Sequence, residues 1–232
     1  MVNCFYDLHI HTALSPCSSD DMTPNNIVNM SLLKGLDIIG ITDHNSAKNV
    51  ASVMKCAEKT TLIVIPGIEV ETFEGIHLLC YFKTIKNVYA FDKIIYDNLP
   101  EINNNEDFYG RQLIIAEDDR IIAKEKKALL NSTSLKIDKV IQLAHKYQGI
   151  VIPAHIDRRA NGIISILGFI PPNLAIEGIE IQATNSQNNY RQYRVFQNSD
   201  AHYLGDICEK VNKICLSAKN CTAFFKYFGG EI

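Results

Sequence analysis

Six of the seven histidines in the sequence, His9, His11, His44, His77, His155 and His202, stand at or near the ends of short apolar runs. Imidazoles gathered with Asp and Glu at such positions are the raw material of a metal site. His9 and His11 are two apart, so in extended chain both side chains point to one face and can grip one cation. Asp200 and His202 repeat that spacing, Glu69 ends a Val/Ile-rich run, and His155 follows Val-Ile-Pro-Ala. Asp43 and His44 are adjacent, so regular alternation turns only one of them inward. A lone strand histidine is ordinarily just a hydrogen-bonded core residue. Six together, with two such pairs, imply chemistry. The donor set suits zinc, manganese or iron better than a structural four-cysteine zinc. His145, inside the helical stretch Leu-Ala-His-Lys, reads as exposed and without function.

The frame that must position these groups is a succession of strands and helices. Strands are expected at Cys4–Ile10, Leu36–Thr42, Leu62–Val70, Ile76–Phe82, Ile150–Ala154, Gly178–Gln182, Arg194–Asn198 and Lys213–Leu216. Between them, Thr23-Pro24 opens a helix that runs to Gly35, and Ser46 caps another to about Lys59. Further helices are expected at Asn87–Leu99, Ile137–Tyr147 and Thr222–Phe228. Alternation of this kind builds a mainly parallel α/β sheet with its reactive residues at the carboxyl ends of the strands. The rhythm breaks at Lys83–Ser134, which holds a hairpin around Glu117-Asp118-Asp119. Two readings of that stretch stand open: a cap over the pocket, with Tyr109 and Arg111 as substrate contacts, or a packed surface insertion.

The 232 residues are expected to form a single domain, and 47% hydrophobic against 21% charged residues is ordinary for a globular core. A net charge of -3 argues against a sequence-independent grip on nucleic acid. No apolar run approaches the ~20 residues of a membrane span, and the start Met-Val-Asn-Cys-Phe-Tyr lacks the pattern of an export signal. A cytoplasmic location is therefore expected. Seven cysteines without C-x-x-C spacing read as free thiols, and Cys17, in a polar loop near the site, reads as a thiol rather than a ligand.

In order along the chain, Asp-Leu-His9-Ile-His11-Thr, Ile-Thr-Asp43-His44-Asn, Pro-Gly-Ile-Glu69, Ile-His77-Leu-Leu, Pro-Ala-His155 and Asn-Ser-Asp200-Ala-His202 resemble the successive motifs of the polymerase and histidinol phosphatase (PHP) superfamily. The resemblance implies a distorted (β/α)7 TIM-like barrel with two to three divalent metals (zinc, manganese or iron) at the carboxyl ends of its strands. It makes His9, His11, Glu69 and Asp200 ligands of one metal. Glu69 bridges to a second, held by His77 and His155. His44 and His202 hold a third with a loop residue, for which Asp21 is expected over Asp20; Asp7 and Asp43 orient neighbouring ligands. The implied reaction is in-line attack on a phosphate ester by a metal-bridging hydroxide held by Glu69 and Asp200, with Arg158 gripping phosphate; the alternative for Arg158 is a solvated charge at a helix start. A small phosphorylated substrate, with no membrane and no stable nucleic-acid complex, is expected. Histidinol phosphatase and a non-catalytic metal-binding regulatory module are the alternatives. No G-x-S-x-G elbow or P-loop points to another chemistry.

Overall fold

The computed structural model describes residues 1–182 and 190–229. Its centre is a curled six-stranded sheet. In chain order the strands are β1 (Val2–Ile10), β2 (Ile38–Ile41), β3 (Ile63–Glu71), β4 (His77–Tyr81), β7 (Ile150–Pro153) and β10 (Lys213–Leu216), and the spatial order is β10-β1-β2-β3-β4-β7. β5 (Leu113–Ile115) and β6 (Ile121–Lys124) form a separate antiparallel hairpin, and β8 (Ile179–Glu180) and β9 (Val195–Phe196) a short parallel pair. The helices are α1 (Pro24–Leu33), α2 (Val50–Ala57), α3 (Ile85–Asp97), α4 (Glu106–Tyr109), α5 (Ile137–Lys146), α6 (Ile163–Leu167) and α7 (Cys221–Tyr227).

β1, β2 and β3 run parallel, as the alternation with α1 and α2 requires, but β4 returns antiparallel to β3 through a tight turn and β10 lies antiparallel on β1. The regular repeat of a (β/α)7 barrel is therefore absent from the described residues, because a hairpin of a few residues cannot carry a crossover helix. The β8–β9 pair stands between β7 and β1 without joining the sheet. Glu177 donates its N–H to the Val151 carbonyl and Ile156 to that of Glu180, while Ala201 donates to the His9 carbonyl and accepts from the His11 N–H.

Alternation sorts the side chains of the sheet into two layers. Ile39, Ile41, Val64, Ile68, Val70, Leu78, Cys80 and Val151 face the helices. Tyr6, Leu8, Ile38, Ile65, Leu79, Tyr81, Ile150 and Ile152 fill the concave interior, where Phe224, Phe225 and Phe228 of the last helical segment plug the floor. Two glycines are required here. A Cβ on Gly40 would lie 2.2 Å from the Leu8 carbonyl oxygen, and one on Gly67 would lie 2.9 Å from the Tyr81 ring. Tyr81 needs that room: its hydroxyl crosses the interior to donate to the Leu8 carbonyl at 2.8 Å.

Above this apolar floor the interior turns polar. In β1 the register against β2 slips by one residue between Asp7 and Ile10. The bulge lets Leu8 stay inside while His9 also turns inward and Ile10 outward.

Thr23 caps α1 by accepting the Asn26 N–H, as expected. Ser46 does not cap α2, which begins later at Asn49 without a side-chain cap bond. The Asn49 side chain is engaged elsewhere, donating to Thr12 Oγ1 and the Leu113 carbonyl and accepting from the Ile115 N–H. That stitches β5 to the loop after β1. Residues 99–131 pack mainly on that loop and on Asn45, with Leu113 donating to the Ala13 carbonyl and Leu130 reaching the pocket wall. Arg111 is ion-paired to Asp20. The segment is a buttress with one edge on the pocket.

Candidate metal centre

Every expected ligand but one converges at the open end of the sheet. His9 and His11 come from the end of β1, His44 follows β2, Glu69 lies near the end of β3, and His155 follows β7. Asp200 and His202 follow β9, whereas His77 stands at the start of β4 because that strand is reversed. The odd one out is Asp21. It is exposed on the turn before α1 and belongs to none of the ligand groups, so the loop carboxylate expected there is corrected. The turn bonds Met22 N–H to the Ser19 carbonyl and Ala13 N–H to that of Met22, and Asp20 is committed to Arg111. Neither carboxylate is brought to the cluster. Cys17, also exposed and outside these groups, lines the same pocket as His44 and His202.

Three overlapping groups have ligand atoms within 4.8 Å of one another: His9, His11, Glu69 and Asp200; His44, Glu69 and His77; and His11, His44 and His202. Glu69 sits at the middle, with Oε1 2.8 Å from His77 Nδ1, 3.2 Å from His155 Nε2 and 3.3 Å from His9 Nε2. Its Oε2 is 3.0 Å from His44 Nδ1 and 3.4 Å from His11 Nε2, yet it is buried and receives no aligned hydrogen bond.

The outer hydrogen bonds fix the rings. His9 Nδ1 faces the carboxylate of Glu180 at 3.0 Å, so it must carry hydrogen, and Nε2 is the nitrogen turned to the cluster. Ser15 Oγ donates to Asp43 and accepts the His44 N–H, so its contact with His11 Nδ1 at 3.0 Å requires that nitrogen to donate as well. His202 Nδ1 likewise donates to the Asp200 carbonyl at 2.7 Å. The Nε2 atoms of His9 and His11 then face each other at 3.1 Å, with Glu69 and Asp200 oxygens beside them. Two lone pairs at that distance repel unless a cation or proton lies between them. The donor set fits divalent metal.

The electrostatics agree. Burial opposes charge on His9, but Glu180, Asp200 and Glu69 outweigh it and hold its proton well above the usual range. On His11 burial, reinforced by His44 and His202, keeps the ring neutral. Burial also opposes charge on Glu69, but His77, His9 and His44 keep it ionised well below the usual carboxylate range. A proton on His9 thus stands where a cation would sit. Burial pushes Cys17 up, but hydrogen bonds with His202 and His44 prevail and bring the thiol down to about 6.

Two supporting residues, Glu180 and Glu71, went unrecognised in the sequence, whereas Asp7 and Asp43 were expected beside the ligands. Glu180, buried in β8, accepts from His9 Nδ1, from the His155 N–H at 3.0 Å and from Asn198 Nδ2 at 2.7 Å. Glu71 lies 3.3 Å from His77 Nε2 and accepts from Ser132 Oγ. Asp43 accepts Thr12 N–H, Thr12 Oγ1 and Ser15 Oγ, each at 2.7 Å, which moulds the loop after β1. Asp7 accepts the N–H of Ser199 at 3.1 Å, its hydroxyl at 2.6 Å and the Cys208 N–H at 2.9 Å. Arg158 stands half exposed at the rim of a cavity of about 390 Å³, its Nη1 2.9 Å from Asp200 Oδ2. His145, away from the cluster, pairs with Glu177 at 3.1 Å. No helix among the described residues is long and apolar enough to cross a membrane.

Comparison with known proteins adds the context. The family model described as PHP domain matches residues 7–168. An uncharacterized protein of Methanocaldococcus jannaschii is 33% identical over 79 residues, a match covering 30% of this chain and 45% of that protein. The lesion-specific endonuclease Q of Pyrococcus furiosus superposes with a TM-score of 0.67 at 18% identity, over 99% of this chain and 56% of that one. A Bifidobacterium adolescentis protein described as a metal-dependent phosphoesterase superposes with a TM-score of 0.58 at 15% identity, over 85% of this chain and 87% of that one. This chain thus spans about half the length of the first two relatives. Endonuclease Q has also been seen with a 27-mer duplex whose abasic lesion lies at the active site. That overturns the expectation of a small phosphorylated substrate and no nucleic-acid complex. The inference had rested on net charge, which averages the whole surface, whereas nucleic-acid binding depends on the local field around a groove.

Proposed function

The chain belongs to the PHP domain family, and from that we propose that it is a metal-dependent phosphoesterase with two to three divalent cations held by His9, His11, His44, Glu69, His77, His155, Asp200 and His202. The observation that carries this reading is the convergence of His9, His11, Glu69 and Asp200, with the two Nε2 atoms 3.1 Å apart. Zinc, manganese or iron suit the donors. Bound there, such cations lower the pKa of water and offset charge on phosphoryl oxygens.

The chain's own groups do the rest. Glu69 and Asp200, the carboxylates of the first ligand group, orient the attacking water and hold the cluster together. Arg158 presents its guanidinium beside Asp200 at the cavity rim, where a phosphate oxygen would complete its fork. The concave apolar floor and Tyr81 keep the interior rigid beneath the ligands. In this reading β8 and β9 close β7 onto β1 as a distorted seven-stranded barrel within one domain.

Phosphodiesters of nucleic acid enter the first test because the fold is shared with a nuclease. Protein loaded separately with zinc, manganese and iron is assayed against phosphomonoesters, phosphodiesters and a DNA duplex bearing an abasic site. Turnover of at least one, lost in His11→Ala, is expected. Full metal content with no turnover of any of them would leave a metal-binding module and end the enzyme reading.

A further inference from the structure

The loop after β1 brings a sulfur, not a carboxylate, to the wall of the cavity that His44 and His202 line. Cys17 shares a cavity wall with His44 and His202, and the two rings draw its thiol below its ordinary value. His202 has Nδ1 tied to the Asp200 carbonyl, which leaves Nε2 as its free donor. Asp20 is held by Arg111, and Asp21, on the turn before α1, does not line that cavity.

Cys17 is also held in place. Ser18 N–H bonds the Ser15 carbonyl, and Ser19 N–H bonds the carbonyl of His202 itself, which fastens the loop to a ligand-bearing segment. Ser15 is in turn fixed by Asp43. On the other side Gly110, with φ +97°, lies so close to Pro16 that an added Cβ would fall 2.1 Å from the Pro16 carbonyl oxygen. The residue before Cys17 is clamped between the buttress and the metal centre.

We propose that the Cys17 thiolate joins His44 and His202 as the third protein donor of one cation position, and that this position therefore selects a thiophilic cation, zinc before magnesium or manganese. The thiol proton leaves to solvent as the sulfur–metal bond forms. Three protein donors leave a coordination place open for water or substrate, the arrangement of catalytic zinc. Soft sulfur with two imidazoles disfavours the hard cations that an aspartate in the same loop would admit. The assignment rests on the metal-centre reading above.

The test uses cobalt(II) added to metal-free full-length protein, with bound cobalt counted by equilibrium dialysis and the absorption spectrum recorded. Wild type should show visible ligand-field bands and a near-ultraviolet sulfur-to-cobalt charge-transfer band. Cys17→Ser and Cys17→Asp should lose the charge-transfer band and still bind cobalt, and Cys56→Ser should keep the full spectrum. Bound cobalt without the charge-transfer band in wild type, or a band that survives Cys17→Ser, overturns the thiolate assignment and leaves the metal centre standing. No bound cobalt in wild type overturns the metal-centre reading and this assignment with it.

Discussion

At His9 the chemistry is set from behind. Glu180 holds Nδ1 and thereby turns Nε2 to the cluster, and the same carboxylate supports the backbone of His155. Glu180→Ala should weaken metal binding by roughly 10- to 100-fold, read by equilibrium dialysis; an unchanged affinity would remove Glu180 from the site. Arg158→Ala should lower kcat/KM by about tenfold to a hundredfold, one charge-assisted contact being worth ~1.5–3 kcal/mol, while bound metal stays constant. Loss of metal would instead make Arg158 a support for Asp200, its partner here. His145 is the contrast. Its hydrogen bond to Glu177 raises its pKa, so the pair stabilises the fold below the unfolded value of about 6.5 and the gain fades as pH rises through the raised value. His145→Ala should cost up to ~1 kcal/mol in acid urea melts, nothing in alkaline ones, and no turnover at either. The ligand histidines were legible because i,i+2 spacing survives any tertiary detail. Glu180 was not, since an ordinary Glu in Gly-Ile-Glu-Ile gains meaning only when β8 lies beneath His9. Cys17 read only as a loop thiol for a related reason: loop geometry, not spacing, decides which of Cys17, Asp20 and Asp21 lines the pocket of the histidines.

Among the elements, β1 carries the most consequence. Strict alternation would have put His9 on the face of Asp7; the slip in register turns it inward without exposing Leu8. Gly40 of β2 permits that approach, its would-be Cβ meeting the Leu8 carbonyl. Gly40→Ala should therefore destabilise by about 1–3 kcal/mol, the usual range for forced overpacking, seen as a lower urea midpoint; an unchanged midpoint would mean the strand gives way freely. The strand and helix periods marked most elements to within a few residues, α1 and β10 among them. They did not disclose the reversal at β4, because the short turn between Glu71 and His77 looks like any polar loop in a sequence. Nor could they show that Asn49 would leave its helix uncapped to serve Thr12 and Ile115. A side chain given to tertiary structure leaves no local trace.

For the molecule as a whole, the metal centre is also a fastening. It joins β1, β3, β4 and the segments after β2, β7 and β9 at one point. Saturating one site at a hundredfold excess over its Kd should add about 2.7 kcal/mol to stability. Melting temperature should accordingly climb with zinc concentration and fall on chelation; a flat response would deny linkage between metal and fold. A further consequence concerns birth rather than equilibrium. Asp7 is fully buried on the first strand, and its partners are Ser199 and Cys208, near the far end of the described chain. At ~5–20 residues per second a ribosome makes the two ends ~10–40 s apart. For that interval β1 has neither Asp200 and His202 nor the donors of Ser199 and Cys208 beside it, and anything that slows translation between the two lengthens its exposure.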